Sequence, residues 1–141
     1  MNTILMIDDD PRTCFTVKRW LEFYGNYRVL TATTPQAGLR TARRSRPDLI
    51  LLDVVMPRMS GIEVLQRLKA CARTRYTPVI ILTGSPSAQT LGEAMFEYAE
   101  HYLTKPADMA VIQAKIAAIL KRRGACDGDE STAKRIGALA A

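Results

Sequence analysis

With 141 residues, 48% of them hydrophobic and 24% charged, the chain is long enough for one globular domain with a substantial core. Its apolar runs fall far short of the roughly 20 residues that a membrane span requires, and its start, MNTILMIDDD, lacks a signal-peptide pattern, which predicts a cytoplasmic protein. The formal net charge of +6 comes from basic residues dispersed over several segments, and Cys14, Cys71 and Cys126 show no CxxC spacing, so the composition favours neither nucleic-acid binding nor a disulfide framework or zinc site.

The first predicted unit is a buried strand followed by a helix. The apolar run ILMI ends in Asp8, Asp9 and Asp10. Asp10 is a suitable N-cap and Pro11 a suitable first helical residue, and Gly25 is expected to end the helix. Asp8 and Asp9 are then left at the carboxyl end of the first strand.

The second predicted unit carries the densest basic group of the chain. A strand over 27–33 is followed by a helix that opens at Thr34-Pro35 and ends before Pro47. The exposed side of this helix and its exit hold four arginines, Arg40, Arg43, Arg44 and Arg46. We interpret them as a solvated helix face, with attraction to an acidic partner surface as the alternative.

The third unit contains a strand that ends abruptly in a carboxylate. The run LILL is continuously apolar, as expected for a parallel strand covered on both faces, and Asp53 follows it directly. Pro57 and Gly61 indicate a shaped loop before a third helix, predicted from Ser60 to about Arg73. Asp53 is therefore presented at a strand end, where open α/β sheets bind their ligands.

The fourth and fifth strands also lead into polar side chains. The apolar run VIIL is followed by Thr83, and a short strand over 102–104 is followed at once by Lys105. In a parallel sheet the carboxyl ends of all strands lie along one edge. A hydroxyl group and an ammonium group are therefore expected beside the aspartates.

Two further helices complete the pattern. One is predicted over 86–98, where Gly92 costs about 1 kcal/mol relative to alanine, and the other over 108–123, which has an apolar side at helical spacing. After the second helix the residues become small and polar. We therefore place one domain at residues 1–123 and a flexible tail or linker at residues 124–141.

Five strand-then-helix units with short connections predict an α/β fold with a parallel five-stranded sheet and helices on both faces. The edge of this sheet would bring together Asp8, Asp9, Asp53, Thr83 and Lys105. Because neighbouring carboxylates repel one another, the cluster needs a cation, and an all-oxygen donor set suits Mg²⁺ or Mn²⁺ rather than zinc. No GxGxxG or GxxxxGK[ST] motif indicates a nucleotide cofactor.

These groups suit the handling of a phosphoryl group. Asp53 stands alone after the central strand and is the expected nucleophile, whereas Asp8 and Asp9 are placed to hold the metal. Lys105 would neutralise charge on the transferred group, and the hydroxyl of Thr83 would hydrogen-bond one of its oxygens. The predicted catalytic group is therefore Asp53, Lys105 and Thr83.

Four motifs, ILMIDDD, LILLDVVMPRMSG, VIILTG and YLTKP, occur in this order at ordinary spacings and, with the five units, cover about residues 2–123. In this the chain resembles the receiver domain of two-component response regulators, either as a stand-alone, single-domain protein or as part of a longer regulator. The resemblance implies a flavodoxin-like three-layer (βα)5 sandwich with strand order 2-1-3-4-5. It also implies that Asp53 is a phosphoacceptor, charged by the phosphohistidine of a sensor histidine kinase or a histidine phosphotransfer protein.

The same resemblance implies roles for the residues around Asp53. Asp9 would ligate Mg²⁺ directly, Asp8 mostly through water, and the backbone carbonyl of Val55 would complete the protein ligands. Lys105 would pair with the phosphoryl group, with a cis peptide bond before Pro106.

The resemblance also implies how the phosphorylated domain would pass its signal to another protein. Thr83 and Tyr102 would form the switch pair, and the face made by the fourth predicted helix, the fifth strand and the fifth predicted helix would bind a downstream protein or form a homodimer. Such a domain is not an enzyme in the ordinary sense, because it catalyses only its own phosphorylation and dephosphorylation.

The chain departs from the family pattern at three positions. Ala107 stands where the family more often has a large apolar residue, which affects local packing. Val55 and Ser85 occupy the two positions that influence the lifetime of the phosphoryl group. Because an apolar Val55 cannot orient an attacking water, we expect slow hydrolysis of the Asp53 phosphate.

Three alternatives compete with this interpretation. A receiver-like interaction module that is never phosphorylated would have the same fold. An aspartate-nucleophile phosphatase of the haloacid dehalogenase type would need Asp-x-Asp followed two residues later by Thr or Val, but Arg12 holds that place. A DNA-binding regulator is disfavoured because the tail is too short and irregular for a helix-turn-helix domain, so direct nucleic-acid binding by this chain is not expected.

Overall fold

The computed structural model describes residues 1–53, 59, 61–83, 101–104 and 108–127. Within these residues, strands and helices alternate along the chain. The elements are β1 (Thr3–Ile7), α1 (Pro11–Tyr24), β2 (Arg28–Ala32), α2 (Pro35–Ser45), β3 (Leu49–Asp53), α3 (Gly61–Ala70), β4 (Val79–Thr83), β5 (His101–Thr104) and the 109–127 helix (Met109–Asp127). The helix predicted over 86–98, with Gly92, lies outside the described residues.

The five strands form one parallel sheet in the order β2-β1-β3-β4-β5. The predicted flavodoxin-like order 2-1-3-4-5 is therefore confirmed. Strand β2 lies on one side of β1, and β3 lies on the other side of β1. The order in which strands are added to the sheet therefore reverses, and the switch point lies between β1 and β3. Ligand sites of open α/β sheets lie at the carboxyl ends of strands beside such a switch point.

Two hydrophobic clusters cover the two faces of the sheet and make the three-layer structure. Along β3, Ile50 and Leu52 belong to the cluster that includes residues of α2 and α3, whereas Leu49 and Leu51 belong to the cluster that includes residues of α1 and the 109–127 helix. All four side chains are fully buried, which explains why this strand is continuously apolar. Each such side chain contributes about 1.5–3 kcal/mol to stability through its burial.

The predicted starts of the first two helices are confirmed in detail. Asp10 caps α1 and Pro11 follows it, while Thr34 caps α2 and its side chain accepts a hydrogen bond from the backbone N–H of Ala37. Gly25 is the C-cap of α1, as predicted, and its N–H donates to the carbonyl of Leu21. Local capping chemistry therefore sets these boundaries.

Helix α3 ends at Ala70, so the predicted end near Arg73 is wrong. The hydroxyl of Thr74 donates to the carbonyl of Leu68 at 2.6 Å, and the Lys69 ammonium donates to the carbonyl of Thr77 at 2.9 Å. The first bond satisfies a carbonyl near the end of the helix, and the second ties Lys69 to the turn that follows the helix. Helix α3 therefore ends about one turn earlier than the residue spacing predicted.

The 109–127 helix is longer than predicted. Its backbone remains helical to Asp127, whereas the helix was predicted to end at Arg123. The inner side is as expected, because Ile112, Ile116 and Ile119 are buried. A last turn held by backbone hydrogen bonds needs no apolar face, and Gly124 costs only about 1 kcal/mol relative to alanine.

Gly38 brings α2 into close contact with β1. A Cβ atom at this position would lie 2.7 Å from Cδ1 of Ile7 and 2.9 Å from its Cγ1 and Cγ2. Ile7 is fully buried and its side chain is branched at Cβ, so it has little room to move away. The missing side chain at Gly38 therefore sets the distance between the helix and the strand that precedes Asp8.

We expect Gly38→Ala to destabilise the domain by up to about 2 kcal/mol, because overpacking costs about 1–3 kcal/mol and the higher helix propensity of alanine returns about 1 kcal/mol. Urea denaturation measures the change in the free energy of unfolding. In an Ile7→Ala background, which removes the three contacting atoms, the same substitution should be neutral or stabilising. An equal loss in both backgrounds would contradict the proposed contact.

Candidate functional site

The site begins with two carboxylates at the ends of adjacent strands. In the parallel pairing of β1 and β3, Ile7 lies opposite Leu52, so the residues that follow them, Asp8 and Asp53, lie at the same level of the sheet. Only 1% of Asp8 and 5% of Asp53 is exposed. Strand register therefore places two buried acids side by side.

Asp9 adds a third, exposed carboxylate. One oxygen of each of Asp8, Asp9 and Asp53 can be chosen so that all three lie within 4.8 Å of one another. Two like charges about 4 Å apart repel by about 4 kcal/mol at an effective dielectric constant of about 20. A divalent cation between the three carboxylates would offset this repulsion. Carboxylate oxygens are the ligands that a hard cation such as Mg²⁺ prefers, and the exposed Asp9 leaves one side of the cluster open to solvent.

Asp8 is held in place by the chain on both sides of it. Its Oδ1 accepts a hydrogen bond from the backbone N–H of Asp10 at 2.9 Å, and its own N–H donates to the carbonyl of Ala32 at 3.1 Å. The Cys14 thiol donates to the Asp8 carbonyl at 3.4 Å. The start of α1 and strand β2 thus orient the Asp8 carboxylate before any ligand is bound.

Asp10 has a different task from its two neighbours. Its Oδ1 accepts from the backbone N–H of Arg12 at 2.9 Å, and its Oδ2 accepts from the hydroxyl of Thr13 at 3.2 Å. The hydrogen bond from Arg12, with a smaller contribution from Thr13, lowers the pKa of the Asp10 carboxyl below its usual value. The DDD run therefore divides into two acids for the site and one helix cap, as predicted.

The remaining predicted site residues are only partly described. In β4, Leu82 lies opposite Asp53, and Thr83 comes next and pairs with Thr104 of β5. Lys105 follows Thr104 in the chain, so the register is consistent with the predicted convergence. The residues that lie outside the described part of the chain are Val55, Ser85, Lys105, Pro106 and Ala107, together with the side chains of Thr83 and Tyr102.

Two supporting residues were not recognised as such in the sequence. Cys14 was considered in the sequence as a possible disulfide or zinc residue, yet its thiol bonds the Asp8 carbonyl. Gly38 was unremarkable within α2, yet it permits the close approach to Ile7. The spacing of Cys14 one turn after the cap was the available signal for the first, and a contact across 31 residues leaves no local signal for the second.

Comparison with known proteins identifies the family to which this fold and its acidic cluster belong. Residues 4–117 match the family model of the response regulator receiver domain. The chain belongs to this family. It is a receiver domain of two-component signalling, with the flavodoxin-like fold seen in solved relatives.

Three relatives indicate how far the likeness extends. The chain is 38% identical over 122 residues to the DNA-binding dual master transcriptional regulator RpaA of Synechocystis, covering 86% of this chain and 50% of RpaA. It is 34% identical over 120 residues to PilH of Pseudomonas aeruginosa, covering 85% of this chain and 98% of PilH. A receiver domain crystal structure from Clostridium thermocellum superposes with a TM-score of 0.80 at 32% identity, covering 88% and 98% of the two chains.

This chain aligns with only part of the longer transcriptional regulators. The chain spans about half the length of the first curated transcriptional regulators that it matches, 50% of RpaA and 57% of TcrX from Mycobacterium tuberculosis.

No helix within the described residues combines the length and the apolar character that crossing a membrane demands.

The cap at Asp10 predicts a pH dependence of stability. Since the folded-state pKa of Asp10 is lowered, its contribution is fully present above the unfolded value of about 3.9 and is lost as the pH falls through the folded-state value. The difference in urea midpoint between the unmutated protein and Asp10→Ala should therefore shrink between pH 6 and pH 3. The control is Asp10→Asn, whose amide oxygen does not titrate, so its difference from Asp10→Ala should stay constant.

Proposed function

We propose that this receiver domain is a Mg²⁺-dependent phosphoacceptor, and that Asp53 takes a phosphoryl group from the phosphohistidine of a sensor histidine kinase or a histidine phosphotransfer protein. The observation that carries the proposal is the cluster of Asp8, Asp9 and Asp53 within 4.8 Å at the ends of adjacent strands. Membership in the receiver family supports it.

The proposed step is a direct displacement at phosphorus. A carboxylate oxygen of Asp53 attacks the phosphorus atom, an O–P bond forms, and the P–N bond to the donor imidazole breaks, with its electron pair remaining on the ring nitrogen. Asp53 is the last residue of a strand whose preceding four residues are fully buried, so its backbone is rigid. A rigid nucleophile at a strand end reduces the ordering cost of reaching the attack geometry.

The metal would be held by Asp9 directly, by Asp8 mostly through water, by Asp53 and by the backbone carbonyl of Val55. Mg²⁺ is our first choice and Mn²⁺ the second, because both are hard cations that take oxygen ligands. When bound, the ion supplies positive charge that screens the carboxylates and the incoming phosphoryl oxygens. The Asp8 carboxylate is suited to this task because Asp10 N–H already orients it.

Lys105 and Thr83 would act on the phosphoryl group from the neighbouring strands. Their support is the register, in which Thr83 pairs with Thr104, the residue before Lys105. The Lys105 ammonium would pair with a phosphoryl oxygen, and the Thr83 hydroxyl would donate to another.

Signal output would use a conformational change, because the field of a new dianion is screened within about 8–10 Å in physiological salt. Thr83 would move toward the phosphoryl group, and Tyr102 would turn into the space that it leaves. The face made by residues 86–98, β5 and the 109–127 helix would then bind a downstream protein or a second copy of the chain. A cytoplasmic location fits this scheme and remains a prediction.

RpaA is named as a DNA-binding regulator, but this chain matches only half of it, so DNA binding is not transferred to this chain. The surviving alternative is an unphosphorylated interaction module with the same fold. It differs from the proposal in one measurable property, the formation of a covalent phosphate.

Phosphorylation can be tested by incubating the protein with Mg²⁺ and acetyl phosphate and measuring its intact mass. We expect one added phosphoryl group, absent in Asp53→Asn and absent when the metal is chelated. Asp9→Asn should slow the reaction by at least about tenfold, the usual lower bound for losing a group that supports a metal site. A gain of mass by Asp53→Asn equal to that of the unmutated protein would contradict the assignment.

The lifetime of the phosphate is a separate prediction. With the apolar Val55 and with Ser85 at the two positions that influence it, we expect the Asp53 phosphate to persist for minutes or longer after the donor is removed. Mass spectra recorded over time measure the decay. Loss within seconds would contradict the prediction, and Val55→Asn should shorten the lifetime by offering an amide that can orient water.

A further inference from the structure

The fold gathers basic residues that are scattered in the sequence. Residues 35–45 and 61–77 contain seven lysines and arginines and one acidic residue, Glu63, so these segments alone carry as much net charge as the whole chain, whose formal value is +6. In the structure they form α2, α3 and the turn after α3, and α2 packs beside α3. The positive charge is therefore concentrated on one side of the domain.

Five exposed arginines make up this surface, which we call the arginine face. Its members are Arg40, Arg43, Arg44, Arg67 and Arg73. Arg40 and Arg44 are one helical turn apart on α2, so they share a side of that helix. Arginine offers a planar fork of N–H donors that bonds carboxylates with two parallel hydrogen bonds, which lysine does not.

A cavity of about 300 Å³ lies within the arginine face, between α2 and α3. Arg43 and Arg67 line it together with the buried side chains of Leu39 and Leu68. The described residues that line it include no carboxylate and no aromatic ring. Its lining therefore combines an apolar surface with two cations, one from each helix.

The turn that borders the cavity is fixed by hydrogen bonds. The Arg73 guanidinium donates to the carbonyl of Arg43 at 3.4 Å, which ties the turn to α2, and the Thr74 hydroxyl donates to the carbonyl of Leu68. A preformed cavity reduces the ordering cost of binding.

Cys71 lies beside the cavity among hydrogen-bond donors. The backbone N–H of Arg73, with smaller contributions from Thr74 and from the charge of Arg43, lowers the pKa of the Cys71 thiol.

We propose that the arginine face binds an acidic polypeptide segment that places an apolar side chain in the cavity and its flanking carboxylates on Arg43 and Arg67. A polypeptide fits better than a nucleic acid, because the leucine lining suits an aliphatic side chain, whereas bound bases are usually stacked on aromatic rings. The face uses neither Asp53 nor the residues of the proposed switch. It is thus a second interaction surface, spatially separate from the proposed phosphoacceptor site.

The test uses fluorescence anisotropy with the full chain and a short labelled peptide in which leucines alternate with pairs of glutamates. We expect Arg43→Ala combined with Arg67→Ala to weaken binding by about tenfold or more. The matched control is Lys18→Ala combined with Arg19→Ala, which removes two positive charges from α1, on the opposite side of the sheet, and should change affinity by less than about twofold. Replacing the peptide leucines by serines should weaken binding several-fold.

Competing probes decide between partner classes. A single-stranded oligonucleotide and vesicles containing anionic lipid are measured at the same salt concentration, and tighter binding of either would overturn the polypeptide assignment. Equal losses in the two double variants would show attraction to net charge alone and would also overturn it, as would undetectable binding of the leucine peptide. Circular dichroism confirms that each variant is folded, and acetyl phosphate labelling is measured separately, so failure here is distinguishable from failure of the phosphoacceptor proposal.

Discussion

The parallel pairing of β1 with β3 is the constraint on which the site depends. With Ile7 opposite Leu52, the two following residues, Asp8 and Asp53, have no choice but to lie side by side at the sheet edge. A shift of one residue would turn one of the two carboxylates toward the opposite face of the sheet. The chemistry therefore rests on register, which the apolar packing of both strands maintains.

The site is electrostatically unfavourable, and the rest of the domain offsets this. Repulsion among two buried aspartates and a third beside them disfavours the folded state, while the buried apolar side chains of β1 and β3 stabilise it. The cap at Asp10 adds a rigid start to α1 and supplies the N–H that orients Asp8. Binding of the proposed cation would relieve this repulsion and would therefore stabilise the folded domain.

Features with local causes were predictable from the sequence, and features with distant causes were not. Continuous apolar runs indicated the strands, and Asp10 and Thr34 indicated helix starts, because capping acts within three residues. The end of α3 was missed because it depends on hydrogen bonds made by Thr74 and Lys69. The arginines of α2 were interpreted as a solvated helix face, and their proximity to the arginines of α3 was not predicted, since nothing local shows that two segments will pack together.

The contact between Gly38 and Ile7 has a mechanical consequence. Since the backbone of Gly38 lies against the side chain of Ile7, an inward displacement of α2 would push on Ile7, the residue that precedes Asp8. A sub-ångström movement of α2 would alter the spacing of the acidic oxygens, to which coordination of a small cation is sensitive. Binding of a partner to the outer surface of α2 would then change the ion affinity of the sheet edge. By thermodynamic linkage, ion binding would change the affinity for that partner by the same factor.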